Sequence, residues 1–311
     1  MELRRLRLLD HLARLGTVAA VADALSYSAS SVSVQLAQLE REAGVKLLRR
    51  AGRNVELTPA GHRLAAYAAD ALAADETVRS ELATIGDALT GRLRMTTVQT
   101  PALALLPATL DRLATLAPHL QVEVHQRETA PALDELHARL VDLVVGIEYD
   151  PVPVARHRDI TRRTLLREDV LLAVHPDHPL APHRPIPLQA CEHLAWATGH
   201  RGTGLDAVVR NVCNRLGGYE PRIMHRSDDG LVLGALVASR RAVALLPALL
   251  TGALPQITAG PLREERLKRT IFTATRVATA EAPAVMTVQK ALQEAAADIA
   301  RSRPDVDATA S

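Results

Sequence analysis

The sequence predicts an α+β multidomain protein, with a small helical head bearing a two-stranded wing, one long helix, and a C-terminal pair of α/β lobes. Three observations carry this. The first 45 residues show closely spaced amphipathic helical patterns, followed by a basic segment around Gly52. Residues 59–89 hold an apolar repeat of seven. From Gly91 onward, strand and helix signals alternate. The length of 311 residues suits two or three folding units, and 48% hydrophobic with 23% charged residues excludes wholesale disorder. No apolar run reaches the ~18 residues of a membrane span. Met1-Glu2-Leu3-Arg4-Arg5 leads into a charged amphipathic stretch rather than a secretory segment, so a cytoplasmic location is expected. Aromatic residues make up 2%, which argues against nucleic-acid binding by base stacking.

In the head, Leu3, Leu6, Leu9, Leu12 and Leu15 form one apolar stripe that Gly16 ends. Thr17 caps a second helix, Val18 to Leu25, and Ser28 caps a third, from Ala29 to about Glu42. Val32, Leu36 and Leu39 line the inner face of the third helix. Ser30, Val34, Ala37 and Arg41 line its outer face, flanked by Ser31, Ser33 and Gln38. Two short helices joined by a tight turn, the second presenting small polar groups, make a helix-turn-helix. Leu47–Arg50 and Arg53–Leu57, flanking Ala51-Gly52, read as the wing. The net charge of the chain is only +2, yet residues 41–63 hold Arg41, Lys46, Arg49, Arg50, Arg53 and Arg63 against Glu42 and Glu56. Residues 64–90 reverse the sign, which marks a module boundary. The basic patch suits phosphate contacts, and a solvated face would have the same composition.

Thr58-Pro59 is a strong helix start. From there Leu64, Ala71, Val78 and Ile85, interleaved with Ala68, Asp75, Leu82 and Leu89, form an alternating seam along a helix expected over 59–89. The seam serves either packing within the chain or dimerisation. Beyond it, strands are expected at 92–98, 121–125, 142–147, 169–175, 222–225, 242–246 and 268–277, alternating with helices at 101–116, 132–140, 204–216, 230–239 and 284–300. That order implies βαβ units and a largely parallel sheet. Residues 301–311 read as a frayed tail.

Specific residues of the head give a family resemblance. Ala22-Asp23-Ala24-Leu25-Ser26-Tyr27-Ser28-Ala29-Ser30-Ser31-Val32-Ser33, then Gln35-Leu36, Leu39-Glu40, Gly44-Val45 and Leu57-Thr58-Pro59-Ala60-Gly61, resemble the winged helix-turn-helix of LysR-type transcriptional regulators. Gly91-Arg92-Leu93-Arg94, Leu106-Pro107, Val141-Asp142-Leu143 and His175-Pro176-Asp177-His178-Pro179-Leu180 resemble markers of that family's effector domain, itself similar to periplasmic binding proteins. Ala29 and Val34 depart from the family pattern, where many relatives carry Gln and Arg. Val34 can touch a thymine methyl but cannot donate a hydrogen bond.

The resemblance implies a DNA-binding head at 1–58, a linker and dimerisation helix at 59–90, an effector domain at 91–301 and a flexible tail at 302–311. The lobes would divide at about 91–164 with 268–301, and 165–267. Ser28, Ser30, Ser31, Ser33, Val34 and Gln35 would meet the DNA groove, and Arg49, Arg50 and Arg53 the phosphates or minor groove. Dimerisation would use Leu64, Ala71, Val78, Leu82, Ile85 and Leu89. Effector contacts would come from Thr97, Gln99, Thr100, Trp196 and Thr203. Trp196 reads equally well as core. The expected partners are a double-stranded DNA operator, a small-molecule effector, further copies of the chain as homodimer or tetramer, and RNA polymerase.

Helix N-termini at Thr100 and Thr203 suit a carboxylate effector, whereas Asp228 or Asp229 repels an anion unless it is occupied as a cap. Gly199, Gly202 and Gly204 read as a turn, since no P-loop follows. Histidines 175, 178, 183, 193 and 200 lack metal-ligand spacing, and Cys191 and Cys213 read as inert packing or a redox switch. No hydrolase, zincin or P-loop motif is present, so neither an enzyme nor a cofactor is expected. The competing reading is a solute-binding protein or small-molecule enzyme on the same two lobes, for which a basic head has no use.

Overall fold

The computed structural model describes residues 1–51, 54–83, 89–303 and 306–308. The head consists of α1 (Leu3–Leu15), α2 (Val18–Leu25) and α3 (Ala29–Ala43), then β1 (Leu48–Ala51) and β2 (Asn54–Leu57). Leu9, Val21, Val32, Leu36 and Leu39 are fully buried together, so the apolar stripes read from the sequence do meet. Thr17 and Ser28 cap α2 and α3 with bonds of 3.1 Å from Ala20 N and Ser31 N. Antiparallel β1 and β2 pair Leu48 with Leu57 and Ala51 with Asn54. Glu40 Oε1 accepts from Leu47 N and Leu48 N, fixing the wing to α3. The long helix α4 (Pro59–Ala83) starts where Thr58 Oγ1 accepts from Gly61 N at 3.0 Å. A Cβ on Gly61 would stand 2.1 Å from Leu47 O, so only glycine lets the helix start pass this close to the wing.

The helix expected to reach residue 89 is shorter. Its described part ends at Ala83, about 37 Å along at 1.5 Å per residue, and Leu89 lies outside it. Ile85 lies outside the described residues. The N-terminal half of the seam faces inward: Ala68 is fully buried in the head core, with Leu64 and Ala71 half-buried against it.

The two-lobed body contains β3 (Gly91–Thr97), α5 (Gln99–Leu116), β4 (Leu120–Gln126), α6 (Thr129–His137), β5 (Leu143–Tyr149) and β6 (Ile160–Val174). It continues with β7 (Ala195–Thr198), α7 (Gly204–Val212), β8 (Arg222–Arg226), α8 (Gly230–Ala238), β9 (Ala244–Pro247), α9 (Ala248–Thr251) and β10 (Thr258–Gly260). β11 (Lys268–Arg276), α10 (Pro283–Ser302) and β12 (Val306–Ala308) close it.

The sheet is mixed rather than largely parallel. β3 pairs parallel with β4 and β5, and β7 with β8, but β11 runs antiparallel to both β5 and β6. The cause is β6, a 15-residue strand that pairs with β11 over Ile160–Asp169 and with β9 over Val170–Ala173. It carries the chain from lobe I into lobe II, its pairing passing from β11 to β9 after Asp169. The expected tail is also partly ordered: β12 pairs Val306 with Glu168, and Val306 is buried in the lobe I core. Each lobe has its own apolar cluster, one around Leu143, Leu166 and Leu292, the other around Leu172, Trp196 and Val209.

Candidate functional site

The outer face of α3 is exposed from Ser28 to Ser31 and again at Ser33, Val34 and Ala37. Its hydroxyls are partly engaged. Ser28 Oγ caps the helix and lies 3.0 Å from Ser30 Oγ, while Ser33 Oγ donates to Ala29 O at 2.9 Å. Val34 is 61% exposed, an apolar side chain standing free among serines. Gln35 differs from its expected setting: it is half-buried, and its amide oxygen accepts from Arg5 Nε at 3.1 Å, which turns it toward α1. Arg49 is exposed and pairs with Glu56 at 2.8 Å across the wing, and Arg50 is exposed beside it. Arg53 lies outside the described residues. On α4, Tyr67, Val78 and Leu82 are exposed apolar side chains.

Between the lobes lies a cavity of about 320 Å³, at the lower end of the roughly 300–1,000 Å³ of small-molecule sites. Its walls are mostly apolar, with Leu205, Leu233, Leu246 and Leu250 contributed by lobe II. Gln99, Thr100 and Thr203 line it as expected from the sequence, but Thr97 and Trp196 do not. Thr97 is buried, and its hydroxyl donates to Val98 O. Trp196 is fully buried in the lobe II core, which decides its open reading in favour of packing. Thr100 is not a cap: Val98 holds that position, without a side-chain bond. Thr203 holds the cap position of α7, yet its hydroxyl donates to His200 O instead. Asp229 does cap α8, accepting from Leu231 N and Val232 N. A hydrogen bond from Gln99, then these helix amides, keep its carboxyl below the usual range.

Gln99 closes the lobes on one another. Its Nε2 donates to Asp229 Oδ1 at 2.6 Å and its Oε1 accepts from Gly230 N at 2.7 Å. Gly230 leaves room for this, since a Cβ there would meet Leu250 at 2.4 Å. The cavity floor holds an ion pair the sequence reading missed, Arg269 Nε to Glu168 Oε1 at 2.8 Å, with exposures of 3% and 0%. In the sequence Glu168 stands beside Asp169 and Arg269 beside Lys268, about a hundred residues apart, and nothing local pairs them. Only the pairing of β6 with β11 sets Arg269 opposite Glu168.

Helix α6 joins this cavity to the head. Glu128 and Thr129, at its N-terminal end, line the cavity. At its other end Arg139 Nη1 donates to Asp10 Oδ2 of α1 at 3.0 Å, and Arg139 also pairs with Glu76 of α4 at 3.3 Å. His137 accepts from Arg14 at Nε2 and faces Asp159 through Nδ1 at 2.8 Å. Burial first, then Arg14, lower its pKa. His137, His157 and Asp159 also have ligand atoms within 4.8 Å of one another, but the Arg14 guanidinium already supplies the positive charge there. Arg139 has a φ of 60°, left-handed backbone where glycine is usual, and ends α6 with Arg139 N on Leu136 O and Leu140 N on Glu135 O. The chain keeps an arginine there, and its guanidinium reaches both the head and the long helix.

Fold and sites together define a class of protein: a DNA-binding head joined by a long helix to a two-lobed body that holds a ligand-sized cavity. Residues 3–62 match the family model described as bacterial regulatory helix-turn-helix protein, lysR family, and residues 86–297 match the LysR substrate binding domain. The chain belongs to the LysR family of transcriptional regulators, and its relatives are regulators rather than enzymes. It is 29% identical over 96% of its length to a "probable hydrogen peroxide-inducible genes activator" of Streptomyces viridosporus, covering 98% of that protein. It is 27% identical over 87% of its length to the transcriptional dual regulator GltC of Bacillus subtilis, covering 89% of it. A full-length OxyR variant from Pseudomonas aeruginosa shares the fold, with a TM-score of 0.67 at 22% identity over 94% of this chain and 98% of that one. No described helix is long and apolar enough to cross a membrane.

Proposed function

We propose that this regulator acts in the cytoplasm as a homodimer or tetramer that reads a two-half-site operator and answers to a small molecule bound between its lobes. The single observation that carries this reading is α6, which touches the cavity at one end and the DNA-binding head at the other. In this reading Ser28, Ser30, Ser31, Ser33 and Val34 face the major groove. Arg49, Arg50 and Arg53 contact phosphates, and Gln35 supports the helix through Arg5. The exposed Tyr67, Val78 and Leu82 of α4 meet a second copy, continuing the seam of Leu64, Ala71, Ile85 and Leu89. The effector places a carboxylate at the free amide ends of α5 and α7, since neither cap residue bonds its own helix. Lobe closure then moves α6 and with it the head, which alters operator occupancy and the recruitment of RNA polymerase.

The test is a mobility shift on the DNA upstream of the protein's own gene, with excess competitor, alongside sedimentation of the free protein. A specific complex that weakens steeply with salt is expected, and Arg50→Ala should weaken it about equally on all sequences and reduce the salt slope by about one. A salt-independent complex, or one indifferent to Arg50→Ala, would remove the wing from the interface. A free protein that sediments as a monomer would remove the seam.

The name of the Streptomyces relative raises peroxide sensing as a second reading, and the thiols here speak against it. Cys191 and Cys213 are both fully buried and free. Burial pushes the Cys191 thiol up to about 12 and the Cys213 thiol up to about 11, so almost no thiolate exists at neutral pH. Thiol-reactive dye is therefore expected to label the native chain at least about a hundredfold more slowly than the urea-unfolded chain, and peroxide to leave DNA binding unchanged. Rapid labelling of either thiol in the native protein would restore the redox reading.

A further inference from the structure

We propose that the cavity takes a small zwitterion, an α-amino acid with an apolar side chain, its ammonium on Glu128 and its carboxylate at the amide ends of α5 and α7. The inference rests on the reading of this cavity as the effector site and specifies the chemistry of its ligand.

The charges of the lining carry it. Three charged side chains line the cavity, Glu128, Asp228 and Arg269. Arg269 is matched by Glu168. Asp228 is held by hydrogen bonds to His200, accepting from His200 N and facing its Nδ1, both at 2.9 Å. The Glu128 carboxyl group has no hydrogen-bond partner among the described residues, and although Glu128 stands at the N-cap of α6 its side chain makes no cap bond. Burial first, and then the charge of Asp228, hold its carboxyl above the usual range, against the opposing pull of Arg269. A half-desolvated carboxylate without a donor is a standing cost that an ammonium relieves.

A ligand bearing only a carboxylate would bring a like charge beside Glu128. A ligand bearing only an amine would leave the helix amides that line the cavity unmatched. There α5 opens with the Gln99 and Thr100 amides, Pro101 having none, and α7 opens behind Thr203, whose hydroxyl is turned to His200 O. Leu205, Leu233, Leu246 and Leu250 then offer an apolar wall to the side chain, and the cavity volume of about 320 Å³ admits one small molecule.

The experiment is calorimetric titration of the full chain with valine, leucine, methionine and phenylalanine, each beside its decarboxylated amine and its deaminated acid. For leucine these are isopentylamine and 4-methylpentanoate. At least one amino acid is expected to bind about tenfold or more tightly than either analogue. Glu128→Gln should weaken the amino acid about tenfold and leave the deaminated acid unchanged or tighter. Ala130→Trp, at an exposed lining position, should block both. An acid that binds as well as its amino acid, indifference to Glu128→Gln, or no amino-acid binding at millimolar concentration would overturn the proposal. If the acid alone binds and Ala130→Trp blocks it, the effector site stands and only the amino-acid chemistry falls. If binding survives Ala130→Trp, the cavity itself is the wrong site.

Discussion

Replacing Glu168 by alanine is expected to destabilise the two-lobed body by about 3–5 kcal/mol, because it leaves the Arg269 guanidinium buried without its counter-charge. The loss is compounded at Leu249 N, which donates to the other Glu168 oxygen at 2.8 Å. For a folding unit of about 200 residues this corresponds to a fall of roughly 10 °C in Tm, read by calorimetry on the full chain. Removing the pair altogether, with Glu168→Leu and Arg269→Met together, should recover most of that loss, since the desolvation of both ions disappears with their attraction. A single variant melting within about 2 °C of the parent would show that water or a neighbour relieves Arg269, and that the floor is not the closed ion pair described here.

Arg139→Gly should loosen the link between the head and the cavity while leaving both folded. Glycine accepts the left-handed backbone at this position without strain, so the turn that ends α6 gains about 1 kcal/mol where the guanidinium contacts with Asp10 and Glu76 are lost. Asp10 keeps its bond to Arg14 at 2.9 Å. The expected result is DNA affinity close to the parent's, with the effector-dependent change in that affinity reduced about tenfold, the scale of a typical coupling energy. The readout is operator affinity with and without the effector, whatever its identity proves to be. A variant that responds as strongly as the parent would exclude the Arg139 contact and leave the relay to His137, which accepts from Arg14 of α1, or to α4, which also meets the body through Glu76 and Arg276 at 3.2 Å.

Most of the head was legible because its information is local. Helix caps at Thr17 and Ser28, the stripe of Val32, Leu36 and Leu39, and the breaks at Gly16 and Gly44 all act within a turn or two of chain. Gln35 escaped that logic because its partner, Arg5, lies 30 residues away on another helix. The body was legible in its alternation of strands and helices but not in its strand directions. Nothing within Ile160–Val174 announces that one strand will serve two lobes, and the antiparallel return of β11 depends on where a chain of nearly a hundred intervening residues comes back. The site divided the same way. Gln99, Thr100 and Thr203 stand at helix starts and line the cavity, but Trp196, equally apolar in either setting, went to the core.

The sequence by itself determined the identity of the modules, their order, and the exposed face of α3, because periodicity and capping are properties of neighbours along the chain. Tertiary structure alone decided that Glu168 meets Arg269, that Glu128 is left without a partner in a cavity, and that Arg139 reaches Asp10. Each of those depends on which charges are brought together out of water, and whether an ionic group is matched or stranded is settled only when distant segments close around it.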